Sequence, residues 1–462
     1  MSKTLALATA QLAITLDQPL DGKPHRPGDT IAGRVYRTAP GVAPEAKVTV
    51  KIRGRCKSKI SVRRNNSTSV YRTNFDALST PTGLETHVLT IGQPLHIPRG
   101  SSGESWPFAI KIPDLVYDIR SERQQKYFAA PGGHLDTPFP PPASYVFTAS
   151  SLLGDSCYAL TEYWVEAHIE LLRQHKGRTV AEHHTAIAPF PLRNVHPGPA
   201  ITEFDMREFK RHHTTWAYRL VPGTTKISFG QKTRQLFASS KVPKIGLCIR
   251  LLLPHTLQVG NERTIPIILH IDPDLDSTSA AIHGIQQEIL ITAVRVNVKP
   301  TTTVQAERHD FRKSTESVSL VPPGNGDRKL RMVVTPGGKA SEALALGEIL
   351  GIRLPAGSLH PDLITYNIVR SHGLKWELDG EIAGRTFKLG FWHPVRILPE
   401  PDVEGPPGYA PGPGPGRGSG SKLNTQSSNR SGSGNGNNPG AAGPGTPNKG
   451  EALPSYGESV GQ

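Results

Sequence analysis

The stretch Tyr163–Leu172, YWVEAHIELL, alternates without a break: Tyr163, Val165, Ala167, Ile169 and Leu171 fall on one side of an extended chain, Glu166, His168 and Glu170 on the other. A period of two of this length is the pattern of a strand with one face buried. Ile265–Ile271 (IPIILHI), Ile291–Val298 (ITAVRVNV) and Leu374–Leu378 (LKWEL) are further short β-branched or aromatic runs bounded by turn residues. No stretch holds a 3.6-residue apolar period over three turns. Many short strands at this spacing predict an all-β protein made of β-sandwiches, and about 400 residues of such sequence predict two in tandem.

A weak internal echo points to one plan used twice. Arg26-Pro-Gly-Asp-Thr-Ile leads into a strand, then a basic strand at Val48–Ile60; Gln258-Val-Gly-Asn-Glu-Arg-Thr-Ile leads into another, then a strand at Ile289–Val298. In each, Gly followed by Asp or Asn supplies a tight turn. The prolines of Pro189–Pro199 (PFPLRNVHPGP) leave few ladder donors and place the join there. The expected domains are residues 1–195, with a long mobile surface loop over residues 118–143, then residues 200–400, then a tail over residues 401–462. The start, Lys3 followed by LALATAQLAI, is read as a first strand rather than a leader, because Gln11 interrupts it and Leu12, Ile14 and Leu16 alternate.

The chain carries 46 Gly and 42 Pro in 462 residues, and the tail concentrates them: 16 glycines and 10 prolines in 62 residues. Such a segment cannot bury a core and is expected to be disordered. Its four basic and four acidic residues cancel, so the whole net charge of +14 belongs to the first 400 residues, which suits acidic partners. Three cysteines, Cys56, Cys157 and Cys248, lie far apart in sequence and exclude a disulfide framework or a Cys-based zinc site, in keeping with a reducing compartment.

Two segments of the tail carry chemistry. Tyr409 and Tyr456, the only aromatic residues after Glu400, both have proline two positions before and proline or leucine three before: Pro406-Pro407-Gly408-Tyr409 and Leu453-Pro454-Ser455-Tyr456. Paired prolines preset a polyproline II helix that docks in the aromatic groove of a WW domain, and the tyrosine fills a second pocket one turn later. Pro142 and Tyr145 show the control case, with spacing one residue too long for such a ligand. The expected WW-binding residues are Pro406, Pro407, Tyr409, Leu453, Pro454 and Tyr456.

A second candidate is the strand from Lys51 to Arg64. Lys51, Arg53, Arg55, Lys57 and Lys59 take every odd position and share one face, with Ile52, Cys56 and Ile60 on the other. The functional reading is an acceptor for acidic cargo segments or anionic lipid; the plain one is a polar outer sheet face whose carboxylates come from neighbouring strands. The adjacent pairs His183–His184 and His212–His213 point to opposite strand faces, so no metal site is expected. No nucleophile constellation or phosphate loop stands out, so neither catalysis nor a cofactor is expected, nor nucleic acid as a partner.

Several of these stretches carry a family resemblance. RPGDTIAG at Arg26–Gly33, VTVKIRGRCKSKI at Val48–Ile60, SWPFAIKIP at Ser105–Pro113 and YALTEYWVEA at Tyr158–Ala167 resemble the N-terminal domain of an arrestin; ITYNIVRSHGLKWEL and FWHPVRIL resemble the last strands of a fungal arrestin-like C-terminal domain. The resemblance is firm in the first half and loose over residues 201–330, and residues 118–143 depart from it. It implies two tandem immunoglobulin-like β-sandwich domains. With PY motifs in the tail it resembles the α-arrestins, adaptors that link plasma-membrane transporters or receptors to a WW-domain HECT ubiquitin ligase for ubiquitination and endocytosis. The implied location is cytoplasmic, with recruitment to plasma membrane or endosomes. A signalling scaffold that binds a receptor tail, of the ambient-pH-sensing type, is the alternative.

Overall fold

The computed structural model describes residues 3–402 except for 20–21, 66, 79–85, 118–127, 129–136, 176–177, 225–227, 237–240, 340 and 356. The first half contributes β1 (Ala13–Leu16), β2 (Thr30–Arg37), β3 (Gly41–Arg64), β4 (Ser67–Asp76), β5 (His87–Ile97), β6 (Glu104–Lys111), β7 (Tyr145–Ser150), β8 (Ser156–His175) and β9 (Arg178–Phe190). The second contributes β10 (Met206–Trp216), β11 (Lys244–Pro254), β12 (Thr256–Gln258), β13 (Ile268–Asp274), β14 (Gln287–Ala306), β15 (His309–Ser314), β16 (Val318–Ser319), β17 (Leu330–Val334), β18 (Leu344–Ala345), β19 (Leu363–Ile364), β20 (Ile368–Ile382) and β21 (Arg385–Leu398). Among the described residues two short α-helices, Phe229–Leu236 and Leu346–Leu350, accompany them. The protein is thus nearly all β.

Four sheets result. In the first half β1-β2-β6 form one, and β4-β3-β8-β7 form another, with β5 added to β3 and β9 to β8. Ile31 and Val35 of β2 and Trp106, Phe108 and Ile110 of β6 share a buried cluster with Val48, Val50 and Ile52 of β3 and Val165, Ala167 and Ile169 of β8, so the two sheets close on one core. Tyr163 is 1% exposed and its hydroxyl donates to the Pro142 carbonyl at 2.5 Å, which satisfies the phenol where it is buried. In the second half β10-β11-β13-β18 pack against β12-β21-β20-β14-β15 through Leu247, Ile249 and Leu251 on one side and Val294, Val296 and Trp376 on the other. Among the named strand pairs, β12–β21 is parallel and the rest antiparallel.

A third apolar cluster joins the halves: Ile60, Tyr145, Phe147, Cys157 and Ala159 meet Val304, Ala306, Phe311, Leu363 and Ile368. Its polar rim is bonded across the join. Ser58 Oγ donates to the Gln305 carbonyl at 2.5 Å and receives Asn367 Nδ2 at 2.9 Å; Arg370 donates to the Tyr145 hydroxyl at 3.0 Å, which meets Thr302 at 3.0 Å. A second tie gathers three stretches far apart in sequence. Arg26 bonds Asp29 at 3.2 Å and Asp402 at 2.6 Å, while the Asp402 N–H donates to the His196 carbonyl.

The echoed turns are both present, but the chain leaves them differently. Gly28 (φ +88°) and Gly260 (φ +72°) each take the left-handed conformation that glycine tolerates. Thr30 then begins β2 at once, whereas β13 begins only at Ile268, so the IPIILHI run enters its strand late. Of the N-terminal apolar segment only its end forms a strand: β1, Ala13–Leu16, pairs with β2 and Leu12 before it is fully buried, whereas Leu5 and Leu7 are exposed. Most of residues 118–143 lies outside the described residues. Within that span Phe128 is buried, edge-on to Phe75 with ring centroids 4.9 Å apart, and Phe139 bridges back to Val116, which precedes it.

Candidate functional site

β3 lies between β4 and β8, and β4 flanks it only from Arg55 onwards, so Arg55, Lys57 and Lys59 have strand partners on both sides whereas Lys51 and Arg53 are registered against β8. The β3–β8 register sets Lys51 opposite Glu166, Arg53 opposite Trp164, Arg55 opposite Glu162, Lys57 opposite Leu160 and Lys59 opposite Tyr158. Directly opposed residues share a face, and diagonal neighbours remain within reach of long side chains. The five cations do share one face, and β8 supplies carboxylates to it. Glu166 meets Lys51 at 3.9 Å and Arg53 at 3.5 Å; Glu162 meets Arg55 at 2.6 Å and Lys57 at 3.6 Å.

The Glu162 end is the more tightly built. Its carboxylate also accepts the Thr4 N–H at 2.7 Å and the Thr4 hydroxyl at 3.0 Å, and Arg55 donates to that hydroxyl at 2.8 Å while lying 5.1 Å over the Trp164 ring. Burial alone pushes the Glu162 carboxyl up, but the bonds from Thr4 and Arg55 outweigh it and hold it below the usual carboxylate range. Burial lowers the Lys57 ammonium, with Arg55 adding to the shift and Glu162 opposing it. At Glu166 burial is again outweighed, chiefly by the His168 hydrogen bond and by Lys51, leaving a depressed carboxyl.

The face is therefore graded along its length. Four of the five cations are paired, so the stretch Lys51–Lys57 is a cross-strand ion-pair ladder, as expected of an outer sheet face. Lys59 sits opposite Tyr158 on β8 and Arg72 on β4, and among the described residues no carboxylate is paired with it. Unpaired charge thus begins at Lys59 and continues along β3 towards Arg63 and Arg64, while the Glu307 carboxylate accepts the Arg72 N–H at 3.2 Å. The acidic partners were visible in the sequence as Glu162 and Glu166 at even spacing in Thr161–Glu166; the register that brings them to Arg55 and Lys51 was not.

Pro406, Pro407, Tyr409, Leu453, Pro454 and Tyr456 lie outside the described residues. The three cysteines are free; Cys56 and Cys157 are buried and Cys248 is partly so. Burial pushes the Cys56 and Cys157 thiols up to about 12. The histidine pairs divide as strand geometry requires, with His184 bonded to Glu182 at 2.5 Å and His213 to Thr215 at 3.0 Å. No helix of the described residues is long and apolar enough to cross a membrane. No protein-family model matches the chain, and no curated protein matches it.

Proposed function

We propose that the protein is an adaptor of the α-arrestin type, linking plasma-membrane transporters or receptors to a WW-domain HECT ubiquitin ligase for ubiquitination and endocytosis. In this reading residues 1–195 and 200–400 are tandem immunoglobulin-like sandwiches of the arrestin kind. Their support is the sheet-on-sheet core in each half and the quoted sequence stretches. The observation that carries the proposal is the pair of motifs, Pro406-Pro407-Gly408-Tyr409 and Leu453-Pro454-Ser455-Tyr456, in a tail with no capacity for a core, following an all-β body that holds the entire net charge.

A tail of about 60 residues raises the ligase's local concentration beside whatever the body binds, and two weak motifs on one tether act together. Cargo is an acidic cytosolic segment, and the ion-pair ladder bears on where it docks: Lys59 and the exposed Arg72 are open to it, whereas Arg55 and Lys57 are committed to Glu162 and Lys51 and Arg53 to Glu166. Tandem WW domains should be retained by the immobilised full chain, and Tyr409→Ala should remove most of that retention. Retention indifferent to Tyr409 would sink the reading.

A further inference from the structure

We propose that the β7–β8 hairpin tip, Leu152–Leu153, with Arg63, Arg64 and Lys313 beside it, docks the protein on bilayers that carry anionic lipid headgroups. This surface is separate from the ion-pair ladder and needs neither tail motif nor cargo.

Leu152 is 104% exposed and Leu153 83%, adjacent leucines at the point of a tight turn. The turn itself holds them there. The Ser151 N–H donates to the Asp155 carbonyl at 2.8 Å, the Gly154 N–H to the Ser151 carbonyl at 3.3 Å and the Asp155 N–H to the Ser151 hydroxyl at 3.1 Å, with Gly154 at φ +90°. Two leucines kept fully in water with no core neighbour are an apolar feature that calls for a partner.

The surroundings specify which partner. β3 runs past the start of β8, so Arg63 and Arg64 flank the tip; the Arg63 side chain lies against Gly154, and both arginines are exposed. On the opposite flank Lys313 of β15 reaches the Ser150 carbonyl at 3.3 Å. The nearest acid, Asp155, has an oxygen committed to the Arg63 N–H at 2.8 Å. Further along β3, Lys59 adds a cation with no carboxylate paired to it among the described residues. An apolar wedge inside a basic collar matches the acyl boundary and the anionic surface of a bilayer together, and each Lys or Arg near such a surface adds roughly a fivefold gain in binding. A protein groove would accept the leucines but gives no reason for Arg63, Arg64 and Lys313 to gather beside them.

The test is co-sedimentation of the purified full chain with vesicles of phosphatidylcholine alone or with phosphatidylserine added. Binding is expected to the mixed vesicles and not the neutral ones, to weaken with salt, and to fall about tenfold or more in both Leu152→Ser/Leu153→Ser and Arg63→Glu/Arg64→Glu. These side chains are exposed, so thermal unfolding should be unchanged. An environment-sensitive dye on Leu153→Cys, in a Cys248→Ser background, should shift to the blue on mixed vesicles. No binding of the wild type to mixed vesicles, binding insensitive to both double variants, or an unshifted dye on bound protein would each overturn the proposal. So would a tip that is required only for capturing a protein. None of these outcomes bears on whether Tyr409 binds WW domains.

Discussion

Glu162 gathers Thr4, Arg55 and Lys57 onto one carboxylate whose side chain is 13% exposed. Removing one partner of a shielded pair leaves the others uncompensated, so Glu162→Gln should cost about 3 kcal/mol of unfolding free energy. Lys57→Met should cost less than about 1 kcal/mol, because Arg55 and Thr4 still satisfy the carboxylate and the ammonium was already disfavoured by burial. Urea titrations of the two variants measure the difference. Glu162 and Glu166 have folded-state carboxyls depressed below the unfolded value, so their stabilisation is present above about pH 4.3 and is lost as pH falls through the lower folded value. Wild-type stability should drop below that pH more steeply than that of Glu162→Gln. At the thiols, Cys56 and Cys157 should resist a thiol reagent in the native protein while Cys248 reacts first, which peptide mapping after a short pulse would reveal.

At the scale of the element, β3 and β8 are held by a register that leaves no room for slip. A one-residue shift would turn Ile52, Cys56 and Ile60 outwards and bury five cations. Gly54 leaves room for the ring of its cross-strand partner: a Cβ there would lie 2.6 Å from the Tyr163 ring and 2.9 Å from Leu78, both fully buried. Gly54→Ala should therefore lose about 1–3 kcal/mol, read by denaturant midpoint, although alanine favours a strand no less than glycine does. Much of this was legible in sequence. The alternation in β3 and β8 and the turns at Gly28 and Gly260 are local patterns, set by residues a few positions apart. What was not legible is which strand lies beside which. Glu162 lies 107 positions from Arg55, and the pairing depends on sheet order rather than on either segment's periodicity. Leu152–Leu153 were hidden for the opposite reason, since two leucines in a row read as core until the turn shows them facing water.

At the scale of the whole molecule, the described residues are tied into one body by contacts distant in sequence: Ser58 with Gln305 and Asn367, Tyr145 with Thr302 and Arg370, and Arg26 with Asp402. Arg26 and Asp402 are only 11% and 14% exposed at the side chain, so Asp402→Asn should raise hydrogen exchange at the His196 and Asp402 amides while leaving the Glu162 region protected. The adaptor reading depends on the tail acting as a tether with two motifs. The most direct test is the affinity of a tandem WW module for the full chain, by titration calorimetry, with and without Tyr409→Ala/Tyr456→Ala. The double variant is expected to lose at least tenfold in affinity, with Tyr409→Ala accounting for most of the loss. Equal affinity for wild type and double variant would contradict the account.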